Sequence, residues 1–286
     1  FQVLGSMTKS EAEKTDFIPA MNFSLSHNSR HITFSTEWTS IHPEFEAATG
    51  FFRRKDIHSS NSRLSYIFLP QTNLIVSITP SLEYRRIYDY NQTLTDDEVE
   101  FSLFLSGWRQ TNIWGTFSSG LERYNEVDFH KKEYRINLSS EAFSWLNGNI
   151  NYSFGDGIYY GENPYLGYLN SLSMMITIKP FSNLRFFYNI KNNEFYKKRG
   201  GEKVYEINII SQRINYQFSR PLSLRLITDY NDHDKTFYTS LLLSYELRPG
   251  TVFYFGIDDN QEKDESGIFR NQGRYYFIKF SYWWRT

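Results

Sequence analysis

RYYFIKFSYWWRT, Arg274 to Thr286, closes the chain. Successive side chains of a β-strand point to opposite faces, so such a stretch divides into two surfaces. Tyr276, Ile278, Phe280, Tyr282 and Trp284 form one face without a charge; Tyr275, Phe277, Lys279, Ser281, Trp283 and Arg285 form the other. Lys279, Ser281 and Arg285 exclude a strand buried on both sides. One face suits an apolar solvent and the other suits water, while the aromatics Phe277 and Trp283 on the wet side point to local packing there.

The same division recurs upstream. From Asn73 to Arg85, Leu74, Val76, Ile78, Pro80, Leu82 and Tyr84 oppose Ser77, Thr79, Ser81, Glu83 and Arg85. Tyr134, Ile136 and Leu138 oppose Glu133, Arg135 and Asn137, and Leu172, Met174, Ile176 and Ile178 oppose Ser171, Ser173, Thr177 and Lys179. Leu184, Phe186, Tyr188 and Ile190 oppose Arg185, Asn189 and Lys191, and Leu222, Leu224, Leu226 and Tyr230 oppose Ser223, Arg225, Asp229 and Asn231. Period 2 fits all of these stretches and helical spacing fits none.

Two classes of connection alternate between the strands. Short ones carry turn residues: HNSR (27 to 30), PQTN (70 to 73), RQTN (109 to 112), PFSN (180 to 183), SRPLS (219 to 223) and RPGT (248 to 251). Longer polar ones span 41 to 60, 89 to 98, 154 to 167, 192 to 203 and 260 to 273. This spacing predicts about 16 antiparallel, up-and-down strands of about 9 to 15 residues, the range of transmembrane β-strands with overhang. A soluble sandwich would have shorter strands and apolar inner faces.

Composition agrees. Of 286 residues 19% are aromatic, including 22 Tyr and 25 Phe, yet mean hydropathy is only −0.54. A closed barrel reconciles the two, because its apolar face meets lipid, its polar face lines a wet lumen, and no strand edge is left unpaired in the bilayer. Trp38, Tyr84, Tyr88, Trp108, Trp114, Tyr124, Tyr160, Tyr165 and Tyr188 fit aromatic girdles near strand ends. A net charge of −1 gives no sign of a nucleic-acid partner. The absence of cysteine excludes disulfides, iron–sulfur clusters, thiol catalysis and thiolate zinc sites. No apolar run approaches the roughly 18 residues of a transmembrane helix. FQVLGSMTKS has neither the basic start nor the apolar stretch of a signal peptide, so a mature or trimmed chain is expected, with residues missing before Phe1.

LLLSYELRPGTVFYFGID (241 to 258), followed after a polar loop by RYYFIKFSYWWR (274 to 285), resembles the C-terminal hairpin of a bacterial outer-membrane β-barrel family of unknown function. PEFEAATGFFRRKDI (43 to 57) and SRPLSLRLITDYND (219 to 232) also resemble segments of it. In that family the barrel often follows an N-terminal domain resembling carbohydrate-binding module family 9. The resemblance implies a longer polypeptide, with the present chain as a single barrel domain, the later part of a larger barrel. It also implies that the last strand is one that barrel-insertion machinery recognises. It carries no catalytic residues.

Candidate sites are few. His27, His31, His42, His58, His130 and His233 read as solvated histidines of turns and long loops, without the converging carboxylate that a metal site needs. HPEFE (42 to 46) places Glu44 and Glu46 near His42 in a loop that also holds Arg53, Arg54 and Lys55. It reads either as a ligand-binding lid at a barrel mouth or as a loop stabilised by its own ion pairs. DYNDHDK (229 to 235) and DNQEKDE (259 to 265) are oxygen-rich but lack the glycine and distal glutamate of an EF-hand, and read as hairpin tips. No G-x-S-x-G elbow occurs, so no hydrolase site, cofactor or metal is expected.

The strongest constellation is the inward set Glu83, Arg85, Glu133, Arg135, Arg185, Lys191, Arg225, Asp229, Lys279 and Arg285. In an open lumen these charges would tune passage of polar solutes; in a filled one they would pair with one another or with a plug. The first expectation is therefore a non-enzymatic outer-membrane channel or transporter for a polar solute, a saccharide if the carbohydrate-module association is informative. The second is a closed structural or assembly barrel anchoring a surface or periplasmic partner. Outer-membrane lipid is the expected surrounding in both, with other outer-membrane or periplasmic subunits as further partners and no nucleic acid.

Overall fold

A computed structural model describes residues 2–8 by their backbone and residues 18–46, 54–70 and 72–283 in full. The first strands are β1 (Gln2–Thr8), β2 (Ile18–Asn28), β3 (Ile32–Ile41), β4 (Ile57–Tyr66), β5 (Ile75–Tyr88) and β6 (Leu94–Gly107). Next come β7 (Thr111–Tyr124), β8 (Val127–Phe143), β9 (Leu146–Tyr159), β10 (Tyr165–Phe181) and β11 (Leu184–Tyr196). The last are β12 (Lys203–Gln217), β13 (Leu222–Asn231), β14 (Thr236–Arg248), β15 (Thr251–Lys263) and β16 (Phe269–Tyr282). The 16 strands hydrogen-bond in sequence order. The chain is thus all-β, antiparallel and up-and-down, as the alternation predicts. No helix among the described residues is long and apolar enough to cross a membrane.

Two expectations need correction. Strands run from 7 to 17 residues, so β8 and β10 exceed the expected length. A tilted transmembrane strand needs only about 9 to 11 residues, fewer than either of these two has. The polar stretches expected as long loops are largely paired strand. Between β5 and β6 only residues 89–93 are outside strands, between β9 and β10 only 160–164, and between β15 and β16 only 264–268. Beyond the apolar band both strand faces are wet, so alternation fades although the ladder continues. Of the five expected long connections, the interval from β3 to β4, residues 42–56, is the longest.

Residue contacts gather into two compact units, the first comprising Phe1–Gly107, Ile113–Ile136 and Phe154–Tyr168 and the second the remainder. In the first unit the register aligns Ser35, Arg63, Glu83 and Glu100 across β3 to β6, and Glu37, Asn61, Arg85 and Glu98 on the next rung. The opposite face of these strands carries Phe34, Leu64, Leu82 and Phe101 in one rung. Pro80 lies on that face of β5 and lacks the N–H a ladder needs. Pairing of β4 with β5 accordingly stops at Ser65 and Ser81. It resumes as a single bridge between Phe68 and Ile78.

In the second unit one rung of β11 to β16 aligns Arg185, Asn215, Arg225, Leu242, Gly256 and Phe277. The adjacent rung of the other face aligns Leu184, Tyr216, Leu224, Leu243, Phe255 and Ile278. Nothing among the described residues covers the end of this apolar rung: Ile278 is 79% exposed and Tyr276 is 64% exposed. The expected lipid-facing residues Tyr276, Ile278, Phe280 and Tyr282 are all exposed, and Trp284 lies outside the described residues.

Candidate functional site: the charged faces

In the first unit the polar rungs form a ladder of ion pairs. Arg63 Nε donates to Glu83 Oε2 at 2.7 Å, and its guanidinium lies 3.6 Å from Glu100. That bridge separates Glu83 and Glu100, which the register sets directly opposite each other. Arg85 pairs with Glu98, Lys131 with Glu122, and Arg135 with Glu133 at 3.1 Å. These groups surround a cavity of about 280 Å³. Tyr160, in the connection after β9, donates its hydroxyl to Glu122 at 2.8 Å. Burial first, and that bond second, hold its phenol well above the usual range. Each half-exposed pair contributes only about 0 to 1 kcal/mol to stability. The main effect of the ladder is to cancel charge along a polar surface.

The loop after β3 is folded onto the same face. Phe45 is 1% exposed, packed in a small core with Ile18, Ala20, Ile41 and Ile57, against which Ile87 also lies. Its N–H donates to the His42 carbonyl at 3.0 Å. Past the undescribed residues 47–53, which include Arg53, Arg54 donates to Asp96 at 2.7 Å and to Thr95 at 2.8 Å on β6. Of the two readings of this loop, neither is decided by the described residues, since Arg53 lies outside them. Glu44, Glu46 and Lys55 join no ion pair among the described residues, and the anchors are an apolar side chain and a bond to a distant strand.

The histidines also move. His27, His58 and His130 stand in strands β2, β4 and β8, not in loops. His58 stacks on Tyr90 with ring centroids 4.2 Å apart, and His42 meets the same ring edge-on at 5.0 Å. Among the described residues no three His, Asp or Glu converge as a metal would require. DYNDHDK is a hairpin tip: Asn231 Oδ1 accepts from the N–H groups of His233 at 3.0 Å and Asp234 at 3.3 Å. Asp264 in the last connection accepts from Ser266 N at 2.9 Å and Ile268 N at 3.0 Å, and also from Arg270. The Arg270 bond first, and the Ile268 N–H second, hold its carboxyl below the ordinary aspartate range.

In the second unit Arg185, Lys191, Arg225, Asp229 and Lys279 share one face, as expected from their parity. Arg285 lies outside the described residues. Lys279 Nζ sits 5.8 Å from the centre of the Tyr254 ring. Phe277 is explained by its partner: a Cβ on Gly256, directly across the pair, would overlap the Phe277 ring, so the ring occupies the space that glycine leaves. Trp283 lies against Gly250, whose φ is +87°, and its N–H donates to the Gly250 carbonyl at 2.8 Å.

Sequence reasoning missed Arg63, Asp96, Glu98, Glu100, Glu122, Lys131 and Arg213 as members of these faces. Glu98 and Glu100 alternate with Val99 and Phe101, a legible signal cut short by the loop expected over 89 to 98. Arg63 sits in IHSSNSRLSY, where serines on both parities erase the alternation.

The sequence matches no protein-family profile and no curated protein, so the family resemblance rests on its four segments alone. Among solved structures, the chain resembles a mutant ferric enterobactin receptor from Pseudomonas aeruginosa at 8% identity and TM-score 0.46, covering 92% of this chain. The chain spans about half the length of that receptor, 53%. It also aligns with the CymD monoaromatic hydrocarbon channel at 14% identity and TM-score 0.26, covering 91% of this chain and 81% of that one. Likeness at these levels says nothing of what this chain binds or moves.

Proposed function

We propose that the chain supplies membrane-spanning strands of a bacterial outer-membrane β-barrel whose polar faces line a path for a polar solute. The observation that carries this reading is the uncovered apolar face, rung after rung, of strands whose other face is charged. Leaving a large aliphatic or aromatic side chain in water costs about 1.5 to 3 kcal/mol relative to burial. Leu82 at 51%, Phe101 at 50% and Ile278 at 79% exposure are three of many, and a fold stable by about 5 to 15 kcal/mol could not carry the sum in water. Acyl chains remove that cost. The polar face then meets water without needing the sheet to be buried, and charge cancellation in the first unit leaves a surface that hydrogen-bonds solutes of either sign.

Refolded protein in planar bilayers should give stepwise conductance. A silent protein that co-purifies with other envelope subunits would overturn the transport reading. It would favour a second reading, a closed barrel anchoring a surface or periplasmic partner, for which the inward anchors Phe45 and Phe277 speak. Outer-membrane lipid is the surrounding in either case.

A further inference from the structure

We infer that the second unit binds an organic phosphate monoester in a cation-lined cavity at the short-turn end of its polar face. This names the solute class for the path proposed above and rests on that reading only for its transport role, not for binding itself. The cavity has a volume of about 720 Å³, within the ordinary range for a small organic ligand. Lys179, Arg185 and Arg225 line it, and no Asp or Glu does. The register fixes the arrangement: Arg185 on β11 and Arg225 on β13 flank Asn215 on β12 in one rung. On β10, Ser171 donates to Asn193 on the polar side of β11, which puts Lys179, eight residues along and of the same parity, on that side too.

The contrast with the first unit gives the inference its force. There, Arg63, Arg85, Lys131 and Arg135 each lie within 4 Å of a carboxylate. Among the described residues Lys179, Arg185 and Arg225 have no such partner, and neither has Arg213, one position along the same face from Asn215. Asp229 is two rungs from Arg225. Cations gathered on one wall with no acid among them leave an uncompensated positive potential, so a structural role would call for acids between them. A dianionic phosphate supplies that charge, and the guanidinium fork matches its oxygens two at a time. Asn215, Ser223 and Ser244 add neutral donors and acceptors along the wall, suited to a hydroxylated body attached to the phosphate.

Binding can be measured by titration calorimetry on detergent-refolded protein, with heat-dependent gel mobility as the check of folding. Glucose 6-phosphate should bind saturably and glucose should not. Arg185→Ala with Arg225→Ala should weaken binding at least tenfold, Arg185→Lys with Arg225→Lys should recover part of it, and Arg220→Ala, in the adjacent turn, should leave it unchanged. Equal binding by the folded alanine double variant, equal binding of glucose, or no binding of glucose 6-phosphate by folded wild type would each overturn the site. Because no conductance is involved, a silent bilayer with intact binding removes the transport reading and leaves the site standing. Conductance without binding does the reverse.

Discussion

Phe277 shows how far a single residue can be read. Parity alone places it on the polar face; the reason it is tolerated there is Gly256 on the neighbouring strand, and only the register reveals that pairing. Gly256→Leu should destabilise the fold by about 1 to 3 kcal/mol through overpacking, seen as a lower urea midpoint in detergent or vesicles. Adding Phe277→Ala to that variant should restore much of the loss. Arg63 was illegible for the complementary reason. Its neighbours are serines on both parities, and its role comes from two acids on β5 and β6 that the sequence holds far from it.

Among the elements, the connections were read least well. Alternation reports which solvent each face meets, not whether the backbone is paired, so strands that continue into water on both sides look like loops. Turn chemistry fills part of the gap. Asp264 in its short connection bonds two N–H groups and Arg270, and its carboxyl is held below the usual range. A depressed folded value means the contribution is complete above the ordinary aspartate value of about 3.9. It is lost only as pH falls through the lower folded value. Protection of the Ser266 and Ile268 amides, relative to their intrinsic exchange rates, should therefore persist at pH 4, whereas Asp264→Ala should lower it at all pH values. The other informative connection is 42–56. Phe45→Ala empties a buried site and should cost about 3 to 5 kcal/mol locally. That should appear as faster proteolysis of the 42–56 loop while gel mobility of the folded protein is retained.

For the molecule as a whole, fold class was the most legible property, because it depends on a binary pattern repeated over many strands and survives errors at any one of them. The charged faces were legible by parity but not by partnership: the same alternation that located Arg85 and Arg225 could not tell that one is paired and the other is not. The proposed lipid contact makes a depth-dependent prediction. Ile278→Arg, inside β16, should destabilise by about 2 to 4 kcal/mol in vesicle unfolding, and Tyr282→Arg, at its short-turn end, by about 0 to 1 kcal/mol.

Because every strand pairs with its sequence neighbour, the chain has low contact order: ring closures are short, and loop entropy grows only as the logarithm of their length. Such a sheet can zip from any nucleating hairpin, and among the described residues its strand number is not fixed by any single long-range strand pairing. Excising β13 and β14 together brings β12 beside β15 still antiparallel, so a chain joined across residues 222–248 should still show heat-modifiable folding. Excising β13 alone should not, since it would set two strands of the same direction side by side. The hairpin is thereby the quantum in which this architecture can grow or shrink.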